Sequence, residues 1–188
     1  MLSDLILRNL AALNRPYLVA IDGLGGAGKS TLAEQIASDV PEVTIVHFDD
    51  FYRVMDPVER EGLSVEEAFR RSFDWERLEA QVLKPLRAQQ TARYERYDWP
   101  TNQLAETHTV RPDQIVLVEG VGCSRPELRG YYDLRVWVET SYEKRHRRMI
   151  ARGENPPEQI ARWEAIEAYY AQTHRPHESA DLVIAGEP

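Results

Sequence analysis

Asp22-Gly-Leu-Gly-Gly-Ala-Gly-Lys-Ser-Thr31 carries the pattern Gly-x-x-x-x-Gly-Lys-Ser from Gly23 to Ser30. Ahead of it runs Tyr17-Leu-Val-Ala-Ile21, short, apolar and partly β-branched, as a strand buried in a parallel sheet should be. Behind it, Thr31-Leu-Ala-Glu-Gln-Ile-Ala-Ser38 has helical spacing. Strand, glycine loop and helix, in that order, are the setting in which the pattern forms a phosphate-binding P-loop. Glycines let the backbone approach a ligand closely, and its N–H groups then form an anion nest at the positive end of the next helix. The expected nucleotide contacts are Gly23, Leu24, Gly25, Gly26, Ala27, Gly28, Lys29, Ser30 and Thr31. Lys29 supplies charge for β- and γ-phosphates, and the Ser30 hydroxyl can sit on Mg²⁺.

The chain of 188 residues is long enough for one domain with a full core. Its 43% hydrophobic and 29% charged residues are those of an ordinary globular protein. A net charge of −8 argues against a nucleic-acid partner held through phosphates. ATP remains compatible, because the P-loop field is local. Cys123 is the single cysteine, so no intramolecular disulfide can form, which suits a cytoplasmic location. No stretch resembles a signal peptide or a membrane span. The histidines lack zinc-type spacing, and no nucleophile-elbow motif occurs.

Along the chain, Leu2–Asn14 reads as an amphipathic helix. Val43-Thr-Ile-Val-His-Phe48 reads as a strand that ends in Asp49-Asp-Phe-Tyr-Arg53. Ligands of open α/β sheets bind beyond the carboxyl ends of strands, so Asp49, Asp50, Tyr52 and Arg53 mark a site. If the segment is extended, the Asp50 side chain points away from the side that Asp49 faces. Met55–Arg71 reads as a mobile connection with a short helix near Val65–Arg71. A helix is expected from Asp74, its cap, to about Gln89. Arg93–Trp99 alternates like a hairpin arm, with His108–Val110 as partner. Gln114–Val118 is a third buried strand, and Glu119 at its end can hold the Mg²⁺ shell through water. Arg125–Gly130 reads as a short helix. Leu134–Val138 and Asp181–Ile184 complete five strands of a parallel sheet flanked by helices. After Ser141, arginines Arg145, Arg148 and Arg152 share one helix face. The break at Gly153–Pro157 and the helix from about Glu158 to Gln172 make residues 145–160 a lid over phosphates.

These segments together resemble the uridine kinase group of P-loop kinases, related to phosphoribulokinase and bacterial pantothenate kinase, from Tyr17 to Ile184. Asp49-Asp-Phe-Tyr-Arg53 resembles the family's Asp-Ser-Phe-Tyr-Arg, and Phe73-Asp74 its Phe-Asp. Tyr97-Asp98-Trp99 resembles its Tyr-Asp-Phe, Val116–Gly120 its strand ending in Glu-Gly, and Ala180–Ile184 its Ala-Asp-x-Ile-Ile. The resemblance implies a P-loop kinase fold, use of ATP and Mg²⁺, and transfer of phosphate to a nucleoside 5′-hydroxyl. By position it implies Asp49 as the base, Asp74 on ribose hydroxyls, and Tyr97 in the base pocket; Tyr52 and Arg53, at the strand end, are further candidate substrate contacts. Arg148 and Arg152 become lid arginines that act with Lys29 on the transferring group. The family's pyrimidine-reading His counts to Asn102 here, a side chain of shorter reach. The lid also lacks the family's Arg-Gly-Arg run.

Other acceptors, pantothenate-like or a sugar phosphate, stay open, as does a non-catalytic nucleotide sensor. A GTPase switch would require Asn-Lys-x-Asp, which the sequence lacks. The partner expected is a small-molecule acceptor, with no nucleic acid and no membrane; a homo-oligomer is left open.

Overall fold

The computed structural model describes residues 2–10, 15–112 and 115–186. In chain order the strands are β1 (Tyr17–Asp22), β2 (Val43–His47), β3 (Ala92–Asp98), β4 (Gln103–Val110), β5 (Ile115–Glu119), β6 (Leu134–Glu139) and β7 (Leu182–Ala185). Five form a parallel sheet in the order β2-β5-β1-β6-β7, and β3 and β4 form the expected antiparallel hairpin. The P-loop strand β1 is central and buried along its whole length. Leu18, Ala20, Val116 and Val118 pack on one face with Leu78, Leu83 and Leu86. Val19, Ile21, Leu117 and Val136 pack on the other with Ile6 and Ile36. Burial on both faces is why these strands read as continuous apolar runs. Ile21 and His47 both stand level with Glu119, so the ends of β1, β2 and β5 open at one edge of the sheet.

The helices are α1 (Leu2–Leu10), α2 (Lys29–Asp39), α3 (Pro57–Gly62), α4 (Val65–Arg71), α5 (Trp75–Leu78), α6 (Lys84–Arg87), α7 (Tyr142–Arg152), α8 (Pro157–His174) and α9 (Pro176–Ser179). The expected N-terminal helix is present to Leu10; its remainder lies outside the described residues, as does Gln114. Within Met55–Arg71 the short helix expected near Val65–Arg71 is present as α4, while the stretch before it, expected to be a mobile connection, holds the further helix α3. Asp56 accepts from the Val58 and Glu59 N–H groups, and Ser64 and Glu67 cap α4 reciprocally. Arg162 on α8 fastens this segment by donating to the Arg60 and Leu63 carbonyls. The helix after Asp74 is not regular: a π-helical turn, Glu79–Leu83, separates α5 from α6. Pro85 has no N–H to return to residue 81, and the Lys84 N–H bonds instead to the Glu79 carbonyl.

Arg125–Gly130 is not a helix but a run of turns with one 3₁₀ turn at Arg129–Tyr131. The Ser124 N–H and hydroxyl are drawn to Asp22, and Pro126 contributes no donor. Asp49 and Asp50 likewise lie in a 3₁₀ turn, Phe48–Phe51, rather than in extended chain. The break between the two helices is as expected: α7 ends before Gly153, which has φ of 65°, and α8 starts at Pro157. Among the described residues, no helix is long and apolar enough to cross a membrane.

Ser64→Ala removes a cap whose loss costs about 1 kcal/mol. Urea unfolding should show a lower midpoint with the same slope. An unchanged midpoint would mean that this segment adds nothing to the fold.

Candidate active site

The P-loop leaves β1 at Asp22, which is fully buried. One carboxylate oxygen accepts from the Gly23 and Gly122 N–H groups at 2.7 and 3.0 Å. The other accepts from the Ser124 N–H at 3.0 Å and from the Ser124 and Tyr170 hydroxyls, both at 2.7 Å. A single side chain thus joins the loop, the turn after β5, and α8. Gly26 has φ of 73°, and a Cβ there would meet the Arg145 carbonyl oxygen at 2.6 Å, so the loop presses directly on α7.

A cleft of about 500 Å³ opens at the sheet edge. Its phosphate end contains Gly25, Gly26, Lys29 and Ser30, and its centre Asp49, Glu119 and Glu167. The Ser30 hydroxyl donates to Glu119 Oε2 at 3.3 Å, and His47 Nδ1 lies 2.6 Å from Glu119 Oε1. Burial alone would raise the Glu119 carboxyl, but His47, Lys29 and Ser30 outweigh it and hold it below the ordinary range. Asp49 is exposed in the cleft, yet protein surrounds it closely enough for desolvation to dominate. Burial, then the Glu119 charge, raise its carboxyl to about 6 against the pull of Lys29 and His47. Asp50 does point elsewhere, accepting a 3.0 Å hydrogen bond from the Tyr94 hydroxyl in the core.

Of the two arginines expected in a lid, Arg152 reaches the cleft. Arg148 donates to the Gly26 carbonyl at 3.0 Å and props the P-loop from outside. Both line a second cleft of about 170 Å³, together with Gly28, Thr31, Leu32 and Gln35. The residues expected on the acceptor are gathered, but into a cluster that does not line the main cleft. Tyr52 packs on Trp99 with ring centroids 4.3 Å apart, and Arg53 pairs with Asp74 at 3.3 Å and Glu76 at 3.0 Å. Asp74 also caps α5. The Tyr97 hydroxyl donates to Asn102 Oδ1 at 2.8 Å, Arg60 donates to the same oxygen at 3.1 Å, and Asn102 Nδ2 donates to the Met55 carbonyl at 2.9 Å. Trp99, Phe73 and Trp163 form the wall that the cleft presents.

Two residues, Glu167 in the cleft and His47 behind Glu119, had no functional signal in the sequence. Glu167 is an acidic residue in mid-helix, and its Oε2 accepts the Gly25 N–H at 2.8 Å. Burial pushes its carboxyl above the ordinary range, while Lys29, the Gly25 hydrogen bond and Arg145 act the other way. A carboxylate therefore fills part of the nest meant for phosphate. His47 was visible only as a histidine without metal spacing; it orients Glu119.

Glu167→Gln keeps the size of the side chain and removes the charge that repels phosphate. ATP affinity, measured by calorimetry, should rise about tenfold, roughly 1.4 kcal/mol, with adenosine affinity unmoved. Unchanged or weaker ATP binding would show that Glu167 does not compete for the nest.

The family model of the phosphoribulokinase / uridine kinase family matches residues 18–186. The uridine kinase of Borrelia duttonii (strain Ly) is 29% identical over 177 residues, covering 89% of this chain and 85% of that one. Among solved structures, a possible uridine kinase from Bacillus stearothermophilus superposes with a TM-score of 0.73 at 25% identity, covering 97% and 96% of the two chains. The D-glycerate 3-kinase of Cryptococcus neoformans shares the fold, with a TM-score of 0.61 at 17% identity over 89% and 86%. With the P-loop, the Asp49 turn and the Glu119 strand end meeting in one cleft, the chain belongs to the phosphoribulokinase / uridine kinase family, whose members are ATP-dependent kinases acting on a hydroxyl.

Proposed function

We propose that the protein transfers the γ-phosphate of ATP to the hydroxyl of a small acceptor, with a nucleoside 5′-hydroxyl as the favoured group. The observation that carries this is Asp49: a carboxyl raised to about 6, in the same cleft as Lys29 and Ser30. The aromatic wall of Phe73, Trp99 and Trp163 supports a flat acceptor such as a nucleobase. The nucleoside end of ATP fits the second cleft, where Gln35 and Arg148 offer polar groups.

Phosphoryl transfer of this kind is mainly positioning and charge stabilisation. Lys29 and the loop N–H groups hold the β- and γ-phosphates. Glu167 must leave the Gly25 N–H as phosphate arrives. Asp49 takes the proton of the attacking hydroxyl. Arg152, at the cleft mouth beside the Gly153 hinge, adds positive charge and helps exclude water. Among the described residues, no cluster of three or more acidic, histidine or cysteine side chains could cage a metal. Ser30 and Glu119 nevertheless fit Mg²⁺, a hard cation that takes one or two protein oxygens and fills its shell with water and phosphate. Bound there, Mg²⁺ would supply charge neutralisation at the phosphates. The small-molecule reading and the buried lone cysteine fit a cytoplasmic enzyme.

The test is ADP release that depends on acceptor, screened over nucleosides, pantothenate and sugar phosphates; ADP release that no acceptor stimulates would favour a nucleotide sensor. With an active acceptor, kcat/KM should fall as pH drops through about 6, because a base with a raised pKa loses its ionised form there, giving about a tenfold loss at pH 5. Asp49→Asn should cost about a hundred- to ten-thousand-fold in kcat with ATP affinity kept, and should abolish that acid limb. A variant of near-normal rate would show that Asp49 merely stabilises its turn.

A further inference from the structure

Arg125 lies in the turn after β5, lines the cleft and is only 4% exposed. Its guanidinium carbon sits 5.0 Å from the Phe69 ring centroid and 5.1 Å from that of Trp75. Glu127 holds one edge of the group, at 3.0 Å from Nε and 3.3 Å from Nη2. The opposite amino group, Nη1, makes no hydrogen bond among the described residues. It is not sealed in either, unlike the guanidinium Nε atoms of Arg53 and Arg60, which are buried without a partner. A planar group fixed by two aromatic rings and a carboxylate, with a donor left over at the cleft, is organised to receive an oxygen.

The position expected to read the acceptor cannot do so in this structure. Asn102 spends its oxygen on Tyr97 and Arg60 and its amide nitrogen on Met55, and it does not line the cleft. Phe69, which packs on Arg125, belongs to the same cleft wall as Phe73 and Trp163. An acceptor lying against that wall meets the free Nη1 donors.

We propose that Arg125 is a specificity-determining residue, donating from Nη1 to an oxygen of the acceptor other than the hydroxyl that is phosphorylated. The acceptor class is then a hydroxyl compound that also carries a ring carbonyl or a carboxylate. This rests on the reading of the cleft as the site of phosphoryl transfer to a small acceptor. Both oxygen types accept from a guanidinium edge, and the carboxylate forms the charge-assisted bond. A hydroxyl compound without such an oxygen would cover the Nη1 donors without pairing them, which disfavours it.

Initial rates at saturating ATP should be compared for matched pairs: uridine with ribose, D-glycerate with glycerol, and pantothenate with pantothenol. The wild-type protein should prefer the oxygen-bearing member of at least one pair by a hundredfold or more in kcat/KM. The uridine pair identifies a base carbonyl and the other two a carboxylate. Arg125→Met should raise KM for the preferred acceptor at least tenfold, leave kcat within threefold and leave KM for ATP unchanged. Arg125→Lys keeps the charge but loses the planar edge, so its KM should fall between the two; it also serves if the Met variant does not fold. Unchanged acceptor KM in either folded variant, or equal wild-type turnover of both members of every pair, overturns the role of Arg125. Absence of wild-type turnover with all six compounds overturns instead the small-acceptor reading on which it rests.

Discussion

Asp22 is the constraint on which the site depends. A fully buried carboxylate is tolerated only when its oxygens are saturated with donors. The donors here come from three separate parts of the chain: Gly23 at the loop's start, Gly122 and Ser124 after β5, and Tyr170 on α8. Satisfying one charge therefore fixes the mouth of the P-loop against the Glu119 strand end and against α8. The turn that bonds to Asp22 also carries Arg125, so the network extends from the P-loop to the aromatic wall of the cleft.

Helix α8 spreads that constraint outward. Arg162 holds the α3–α4 segment, Glu164 accepts from Tyr142 and lies 2.8 Å from His146 on α7, and Glu167 reaches the Gly25 N–H. Trp163 adds its ring to the cleft wall. A shift of α8 would thus alter the nest, α7 and the aromatic wall of the cleft together. A nucleotide phosphate at the loop would have to displace the contact between Glu167 and the Gly25 N–H.

The sheet was legible because its strands are apolar runs and its loop has a fixed spacing. The P-loop, Asp49 and Glu119 follow from where such runs end. The hairpin and the Gly153 break were legible for the same local reasons, alternation in one and glycine and proline in the other. What stayed hidden depends on contacts distant in sequence. Nothing in the spacing of Glu167 tells that a mid-helix carboxylate meets a backbone N–H 142 residues away. The Arg125 turn read as a helix because its composition permits one, and Asp22, which pulls Ser124 out of that path, lies 102 residues upstream. The Asn102 position could be counted along the chain, but its capture by Arg60 depends on α3, a helix that was read as mobile chain. Asp22 itself had a weak signal, as an acid closing a wholly apolar strand.

The central claim, that the Asp22 carboxylate sets the geometry of the phosphate nest, is tested most directly by ATP binding to Asp22→Asn. Asn keeps one acceptor oxygen but turns an amide toward the N–H and O–H groups that the second oxygen satisfied, leaving donors face to face. Calorimetric titration of the folded variant should show ATP affinity reduced at least tenfold. A folded Asp22→Asn protein that binds ATP as tightly as the wild type would contradict the claim.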